Sequence, residues 1–254
     1  MADSLQTQVH GNVLVMTVNR PEARNAMDQA TAQALAAALD ELDARDDLRL
    51  GIVTGAGGTF CSGMDLKGFL RGERPSVEGR GFAGLTERPP RKVLIAAVEG
   101  YALAGGFEMV LSCDLIVASR AAKFGLPEAK RGLVAAAGGL MRLPRRMPYH
   151  LAMEYALTGD MLDAERAHAH GLVNRLAEPG QALAVALQLA ASVAANGPLA
   201  VAVSKRIVSE SADWSQDQMF ARQQPIVAPV FGSADAREGS AAFAEKRAPN
   251  WTGR

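Results

Sequence analysis

The chain of 254 residues carries 27 basic and 27 acidic side chains, so its formal net charge is zero. This excludes a whole-molecule field that would gather nucleic acid or an anionic membrane, and it leaves any polyanionic ligand to a local cluster of charge. The length suits one main domain and is short for two full-sized enzyme domains.

Met1-Ala2-Asp3-Ser4 leads into polar sequence rather than a basic and then apolar leader, and Cys61 and Cys113 are the only cysteines, which predicts a reduced, cytoplasmic protein. Val13 to Val18 reads as a strand ended by Asn19-Arg20-Pro21, after which Asp28 caps a helix running to about Ala44. Leu48 to Thr54 is the next strand. It enters Gly55-Ala56-Gly57-Gly58, where a phosphate-binding loop would need Gly-Lys-Ser/Thr and the chain has Thr59-Phe60, so a P-loop ATPase is excluded. Residues 71 to 91, rich in Gly, Pro, Glu and Arg, read as a long surface loop, mobile without ligand. Lys92 to Val98 is a buried strand that Glu99 keeps far short of a membrane span, Ala104 to Leu111 starts a helix, and Asp114 to Ala118 is a further strand. Alternating strands and helices give an α/β class. The last third is helical: Leu151 to Leu157, Ala164 to Ala169, Gln181 to Ala195, Leu199 to Ser211, Ser215 to Phe231 and Ala234 to Phe243.

Three turns stand out as candidate chemistry. Gly100 to Glu108 places small residues ahead of a carboxylate, and Glu108 lies in the apolar run Phe107 to Leu111, where a charge needs a partner, a proton or a catalytic use. Close helix packing at Gly105-Gly106 and a buried salt bridge at Glu108 are the plainer readings. Phe124-Gly125-Leu126-Pro127-Glu128 offers a second carboxylate, which could simply favour a helix start. Phe60-Cys61-Ser62-Gly63-Met64-Asp65-Leu66 is a glycine turn in which Asp65 could be an ordinary helix cap, although a helix start also aims unpaired N–H groups outward. Two backbone donors facing one carbonyl oxygen, with two carboxylates to move protons, are the parts needed to stabilise a thioester enolate and to add or remove water beside it. His168 and His170 do not share a helix face, which argues against a metal pair, and Ser62 lacks the nucleophile-elbow pattern.

Along nearly its whole length the chain resembles the crotonase, or enoyl-CoA hydratase, superfamily. The resemblance rests on residues 19 to 27, Gly55 to Lys67, Gly100 to Glu108, Phe124 to Gly132, Ala137-Gly138-Gly139, Leu157-Thr158-Gly159, Gly171-Leu172-Val173 and Phe243 to Arg247. Gly81 to Glu87, Leu126 to Lys130 and the end from Arg247 resemble the carnitinyl-CoA dehydratase branch. The resemblance implies a crotonase-like spiral of β-β-α turns over residues 1–195, holding the CoA site, and a C-terminal helical trimerisation module over 196–254. It also implies a homotrimer or a hexamer of paired trimers, with an acyl-CoA thioester as substrate and no metal or other cofactor.

Carried over residue by residue, the backbone N–H groups of Met64 and Gly105 form the oxyanion hole, and Glu108 and Glu128 are the catalytic carboxylates. Arg24, Ala26, Asp65, Leu66 and Lys67 fall along coenzyme A, with Phe243 and Lys246 reaching its nucleotide from a neighbouring subunit. Retention of both carboxylates favours hydration or dehydration; Glu108 takes the water proton and Glu128 supplies Cα, or the two share these roles. Isomerisation, C–C cleavage and a non-catalytic acyl-CoA-binding subunit remain the alternatives. One departure concerns Ala136, where the family often has a glycine that helps hold the water; a positive φ there would strain alanine and slow hydration.

Overall fold

β-Branched and apolar side chains at almost every position of Val13–Val18 suit a strand covered on both faces, and only Thr17 keeps partial exposure. The structure is a computed structural model that describes residues 3–254. Met1 and Ala2, from the N-terminal segment read above, lie outside the described residues. The chain runs β1 (Leu5–His10), β2 (Val13–Val18), α1 (Gln29–Ala44), β3 (Leu50–Gly55), α2 (Leu66–Leu70) and the short hairpin β4 (Ser76–Val77) and β5 (Gly81–Phe82). It continues through β6 (Val93–Val98), β7 (Tyr101–Leu103), α3 (Gly105–Ser112), β8 (Leu115–Ser119) and β9 (Lys123–Gly125), then a 3-10 turn at Pro127–Arg131, α4 (Gly139–Arg142) and α5 (Tyr149–Thr158). The remainder is β10 (Leu162–Asp163), α6 (Ala164–Ala169), β11 (Arg175–Ala177), α7 (Ala182–Ala194), α8 (Pro198–Glu210), α9 (Met219–Phe231) and α10 (Ala234–Glu245).

A six-stranded sheet, ordered β1-β2-β3-β6-β8-β11, is parallel except for the β1–β2 hairpin. A smaller sheet, β10-β9-β7, lies beside it. Successive turns of chain alternate between the two: β6 in the large sheet is followed by β7 in the small one and then α3, and β8 by β9 and the 3-10 turn. This is the β-β-α spiral expected of an α/β crotonase-like chain. Leu35, Leu39 and Leu42 of α1 and the fully apolar flank of α3 bury against one side of the large sheet. On the other side Ala182, Ala186 and Ala190, four apart on α7, lay that helix over Val15, Ile52, Ile95 and Val117. No single helix among the described residues is long and apolar enough to cross a bilayer.

Asp28 caps α1 as its sequence predicts, accepting from the Thr31 N–H at 2.8 Å. The strand β1 has no counterpart in the sequence reading, because Gln6, Thr7 and Gln8 give a polar, exposed edge strand without an apolar rhythm. The segment 71–91 departs further from expectation: it holds the β4–β5 hairpin, and Arg80, Ala83, Leu85 and Thr86 are buried. Arg80 draws it inward by donating through Nε to the Gly84 carbonyl at 3.0 Å and pairing with Asp40 on α1 at 2.9 Å. Helix α9 starts at Met219 rather than Ser215 and passes through Pro225 and Pro229.

The C-terminal helices contribute little to the core, since α8 and α9 bury no residue. Lys205 nevertheless pins α8 to the spiral: its Nζ donates to Asp114 at 2.7 Å and to the carbonyls of Pro90 and Lys92 at 2.8 and 2.9 Å. Lys205→Met should therefore leave Asp114 without its cation and lower stability by about 2 kcal/mol, below the ~3–5 kcal/mol of a fully buried pair because Asp114 keeps some water contact. Urea unfolding checks it, and an unchanged midpoint would show that α8 is held by other contacts.

Candidate active site

The three turns singled out in the sequence meet in one place because they are three neighbouring passes of the spiral. Cys61 pairs in parallel with Ala102, and Ala102 pairs in parallel with Phe124. Met64 and Gly105 each lie three residues beyond their member of this row. Among the described residues, neither the Met64 N–H nor the Gly105 N–H donates in the loop and cap hydrogen bonds, whereas Met27 and Asp65 on either side do. Gly105 opens α3, so its N–H is one of the four that a helix start leaves without an internal partner.

Backbone crowding explains the glycines. A Cβ on Gly106 would run into the Cys61 carbonyl, and one on Gly63 would lie 3.0 Å from the Ala104 Cβ and 3.5 Å from the Gly105 nitrogen. The plain reading of Gly106 as a packing glycine is therefore correct, and that packing brings the two donors together. Ala104, capping α3, takes φ 51° and ψ −128°, a conformation costly for a residue with a Cβ, of order 1–3 kcal/mol. It is held there by donating its N–H to the Gly125 carbonyl at 2.9 Å while its own carbonyl accepts from Phe107 and Glu108. Ala136, the expected position of strain, has no positive φ, so its backbone carries none of the left-handed strain expected there.

Glu108 is 3% exposed. Its Oε1 accepts the N–H groups of Ala137 at 2.8 Å and Gly139 at 2.9 Å, a cradle that the sequence reading did not assign although it singled out the Gly138-Gly139 pair. A Cβ on Gly139 would stand 2.9 Å from Glu108 Cγ, so glycine is what allows the loop to close on the carboxylate. Burial pushes the Glu108 carboxyl above the ordinary range, opposed by the two amides and by the charge of Arg142. Glu128, three residues beyond the end of β9 and in the 3-10 turn, is also pushed up by burial, with the Glu108 charge adding to the rise. Its Oε2 is buried and has no hydrogen-bond partner among the described residues. Beside it opens a cavity of about 400 Å3 lined by Leu126, Leu133, Ala135, Leu143 and Met153, where Glu128 is the sole charged residue among those described.

The expected ligand-contact residues divide. Arg24 and Ala26 are brought to the Met64 turn, where the Arg24 carbonyl accepts from Ser62 N–H at 3.1 Å and Ala26 adjoins Met27, which donates to the Gly63 carbonyl. Arg24 is exposed with φ 51° and Ala26 is buried. Asp65 caps α2 through the Lys67 and Gly68 N–H groups and accepts from Arg20 at 2.9 Å, which holds its carboxyl low. Leu66 and Lys67 point their exposed side chains from the first turn of that helix. Phe243, 87% exposed, and Lys246, capping α10, have no hydrogen bond or ion pair to this site among the described residues. Phe243 instead lines a separate groove of about 500 Å3 with Trp251 and Leu199. His168 turns its Nδ1 to the Val173 carbonyl at 2.8 Å, a local helix-end contact.

Phe82, in the segment read as a surface loop, lays its ring over Gly105; a Cβ there would come within 2.5 Å of the ring. Gly105→Ala should cost about 1–3 kcal/mol by overpacking, and Phe82→Ala in the same chain should recover part of it. A double-mutant cycle from urea unfolding tests this, and strict additivity would contradict the contact.

Comparison with known proteins places the chain in one family. The family model described as enoyl-CoA hydratase/isomerase matches residues 8–254. The enoyl-CoA hydratase EchA19 of Mycobacterium tuberculosis is 43% identical over 251 residues, covering 96% of this chain and 94% of that protein. The carnitinyl-CoA dehydratase of Proteus mirabilis is 39% identical over 262 residues, covering 100% of both. Among solved structures, the enoyl-CoA hydratase EchA1 of Mycobacterium marinum superposes with a TM-score of 0.97 at 60% identity, covering 99% of each chain.

Proposed function

Because the chain belongs to the enoyl-CoA hydratase/isomerase family, we propose that it is an enoyl-CoA hydratase, adding water reversibly to a trans-2-enoyl-CoA to give a 3-hydroxyacyl-CoA. The observation that carries this reading is the pair of carboxylates, Glu108 and Glu128, both pushed up by burial, on the same spiral edge as two unpaired backbone donors. The Met64 and Gly105 N–H groups receive the thioester oxygen as negative charge develops on it, a contribution of typically ~100- to 1,000-fold per donor. Water attacks Cβ, its proton passing to Glu108, whose Oε1 is held by two amides while Oε2 makes no hydrogen bond with the described residues. Glu128 gives its proton to Cα of the enolate; Glu108 then releases the proton it took to solvent and Glu128 regains one, and its buried, unpartnered oxygen suits the protonated state so restored. The reverse sequence dehydrates the 3-hydroxy thioester.

Coenzyme A is part of the substrate in this reading, and the reaction calls for no metal or other cofactor. Arg24, Ala26, Asp65, Leu66 and Lys67 border its path. Asp65 acts there through the turn it caps, since its carboxylate is already engaged by Arg20. The apolar cavity beside Glu128 offers room for an acyl group. Residues 1–195 then form the spiral with the site, and 196–254 an assembly module for a homotrimer or paired trimers in the cytoplasm. The absence of buried residues in α8 and α9, and the exposure of Phe220, Phe231 and Phe243, support a module that completes its burial against other subunits, with Phe243 and Lys246 offered to a neighbour's nucleotide.

Loss of enoyl-thioester absorbance with crotonyl-, longer enoyl- and crotonobetainyl-CoA tests the activity and its acyl preference; no turnover with any of them would refute it. Glu108→Gln and Glu128→Gln should each lower turnover at least about 100-fold with CoA affinity nearly intact. Near-normal turnover in either variant would remove that residue from the mechanism.

A stability test comes from the same carboxyls. With folded values above the unfolded ones, the native chain binds more protons than the unfolded chain across the window between them, so stability falls as pH rises through it. Glutamine has no proton to lose. Glu108→Gln should accordingly be more stable than the parent at neutral pH, with the gap closing as pH drops from the raised folded value to the ordinary unfolded one; a pH-independent difference in urea midpoint would contradict the buried charge.

A further inference from the structure

We propose that Arg142 is a positioning residue for Glu108, locking the amide loop that cradles its carboxylate to the segment that covers the oxyanion glycine. The inference rests on the roles given above to Glu108 and Gly105. Arg142 ends α4, the short helix that begins at the cradle residue Gly139. Its guanidinium folds back under the loop, where Nη1 donates to the Ala137 carbonyl at 3.4 Å and Nη2 to the Thr86 carbonyl at 2.6 Å. Ala137 thus accepts from Arg142 with its carbonyl and donates to Glu108 with its N–H at 2.8 Å. A Cβ on Gly138 would strike Nη1, so the loop sits directly on the guanidinium. Thr86 closes the buried turn that starts at Phe82, the residue whose ring lies over Gly105. One planar fork therefore ties together the base's cradle and the cover of the oxyanion donor, a geometry that a lysine ammonium does not reproduce.

The electrostatics run in the same direction. From α4 Arg142 faces Glu108, and from the 3-10 turn Glu128 faces it with a like charge. Arg146, whose charge disfavours that of Arg142, donates to the Cys113 carbonyl at 3.0 Å; the charge of Arg131 opposes the rise at Glu128, and the Cys113 thiol is buried and neutral. Arg142 has no carboxylate within ion-pair distance among the described residues, although burial and Arg146 both disfavour its charge. A half-buried guanidinium bonded only to carbonyls, with Glu108 as the carboxylate favouring its charge, is explained by the field and geometry it supplies there.

Two variants separate charge from shape. Arg142→Gln keeps a planar donor and removes the charge; Arg142→Lys keeps the charge and removes the fork. The readouts on the full chain are the Glu108 carboxyl titration by carbon-13 NMR, the pH profile of crotonyl-CoA hydration, and CoA affinity. Arg142→Gln should raise the Glu108 midpoint, move the acid limb of turnover upward with it, and lower turnover on that side by roughly tenfold, less than the ~100- to 10,000-fold of a general base itself. CoA affinity should stay within about twofold, and Arg142→Lys should return the midpoint toward the parent value. A folded Arg142→Gln protein with an unmoved midpoint, or equal displacement in both variants, overturns the proposal. Should Arg142→Gln not fold, Arg142→Lys decides: faster amide exchange at Ala137 and Gly139 supports the clamp, and unchanged exchange overturns it. A parent protein that hydrates no enoyl thioester would refute the hydratase reading alone, because the titration and exchange are read without turnover.

Discussion

Parallel backbone pairing at Cys61, Ala102 and Phe124 holds three segments from separate regions of the chain side by side, and the site depends on that row. Each segment leaves the row in the same direction, so the residues just beyond the three pairing points gather on a single edge. Met64 and Gly105 come after the first two, and Glu128 after the third. Glu108 sits one helical turn deeper on α3 and so reaches the same edge from below, where the loop at Ala137 and Gly139 meets it. Main-chain hydrogen bonds set these positions, which makes the spacing of donors and acids a property of the spiral more than of any flexible side chain.

The arrangement costs stability in two identifiable places. Ala104 holds a backbone conformation that suits glycine, and Glu108 sits in a place where burial disfavours its charge. Both lie within four residues of the Gly105 N–H. The surrounding core bears that cost because α1, α3 and α7 cover both faces of the large sheet. A chain optimised for stability alone would place glycine at position 104 and an uncharged side chain at 108; their presence is the physical signature of a site built to act on a ligand.

Much of this is legible from the residues. Asp28 as a helix cap, the strands at the centre of the large sheet, the unpaired N–H groups after Gly63 and Ala104, and the two glutamates in apolar settings all have short-range signals. The neighbours of those glutamates do not. Ala137 and Gly139 act through backbone N–H groups, which carry no side-chain identity, and Arg142 resembles any basic residue in Arg142-Leu143-Pro144-Arg145-Arg146. Phe82 sits in a stretch whose Gly, Pro and charge content reads as solvent-facing, while Arg80 and Gly84 in fact draw it inward against α1. The departure at Ala136 predicts strain there, but the conformation that needs it belongs to Ala104, where the chain turns from β7 into α3. Long-range pairing is what moves each of these, and no local rhythm encodes it.

The burial of Cys61 gives the site a clock. Its thiol is wholly enclosed, accepts the Gly63 N–H at 3.4 Å, and is pushed up to about 12 by that burial. Its carbonyl lies against Gly106, at the contact that brings the turns carrying the Met64 and Gly105 N–H groups together. A thiol reagent in solution therefore meets Cys61 only when the backbone around it opens, and a reagent that outpaces reclosing reads the rate of those openings. The frequency with which the Cys61 turn opens and re-forms is thereby written in a chemical rate at a native residue, with no label introduced.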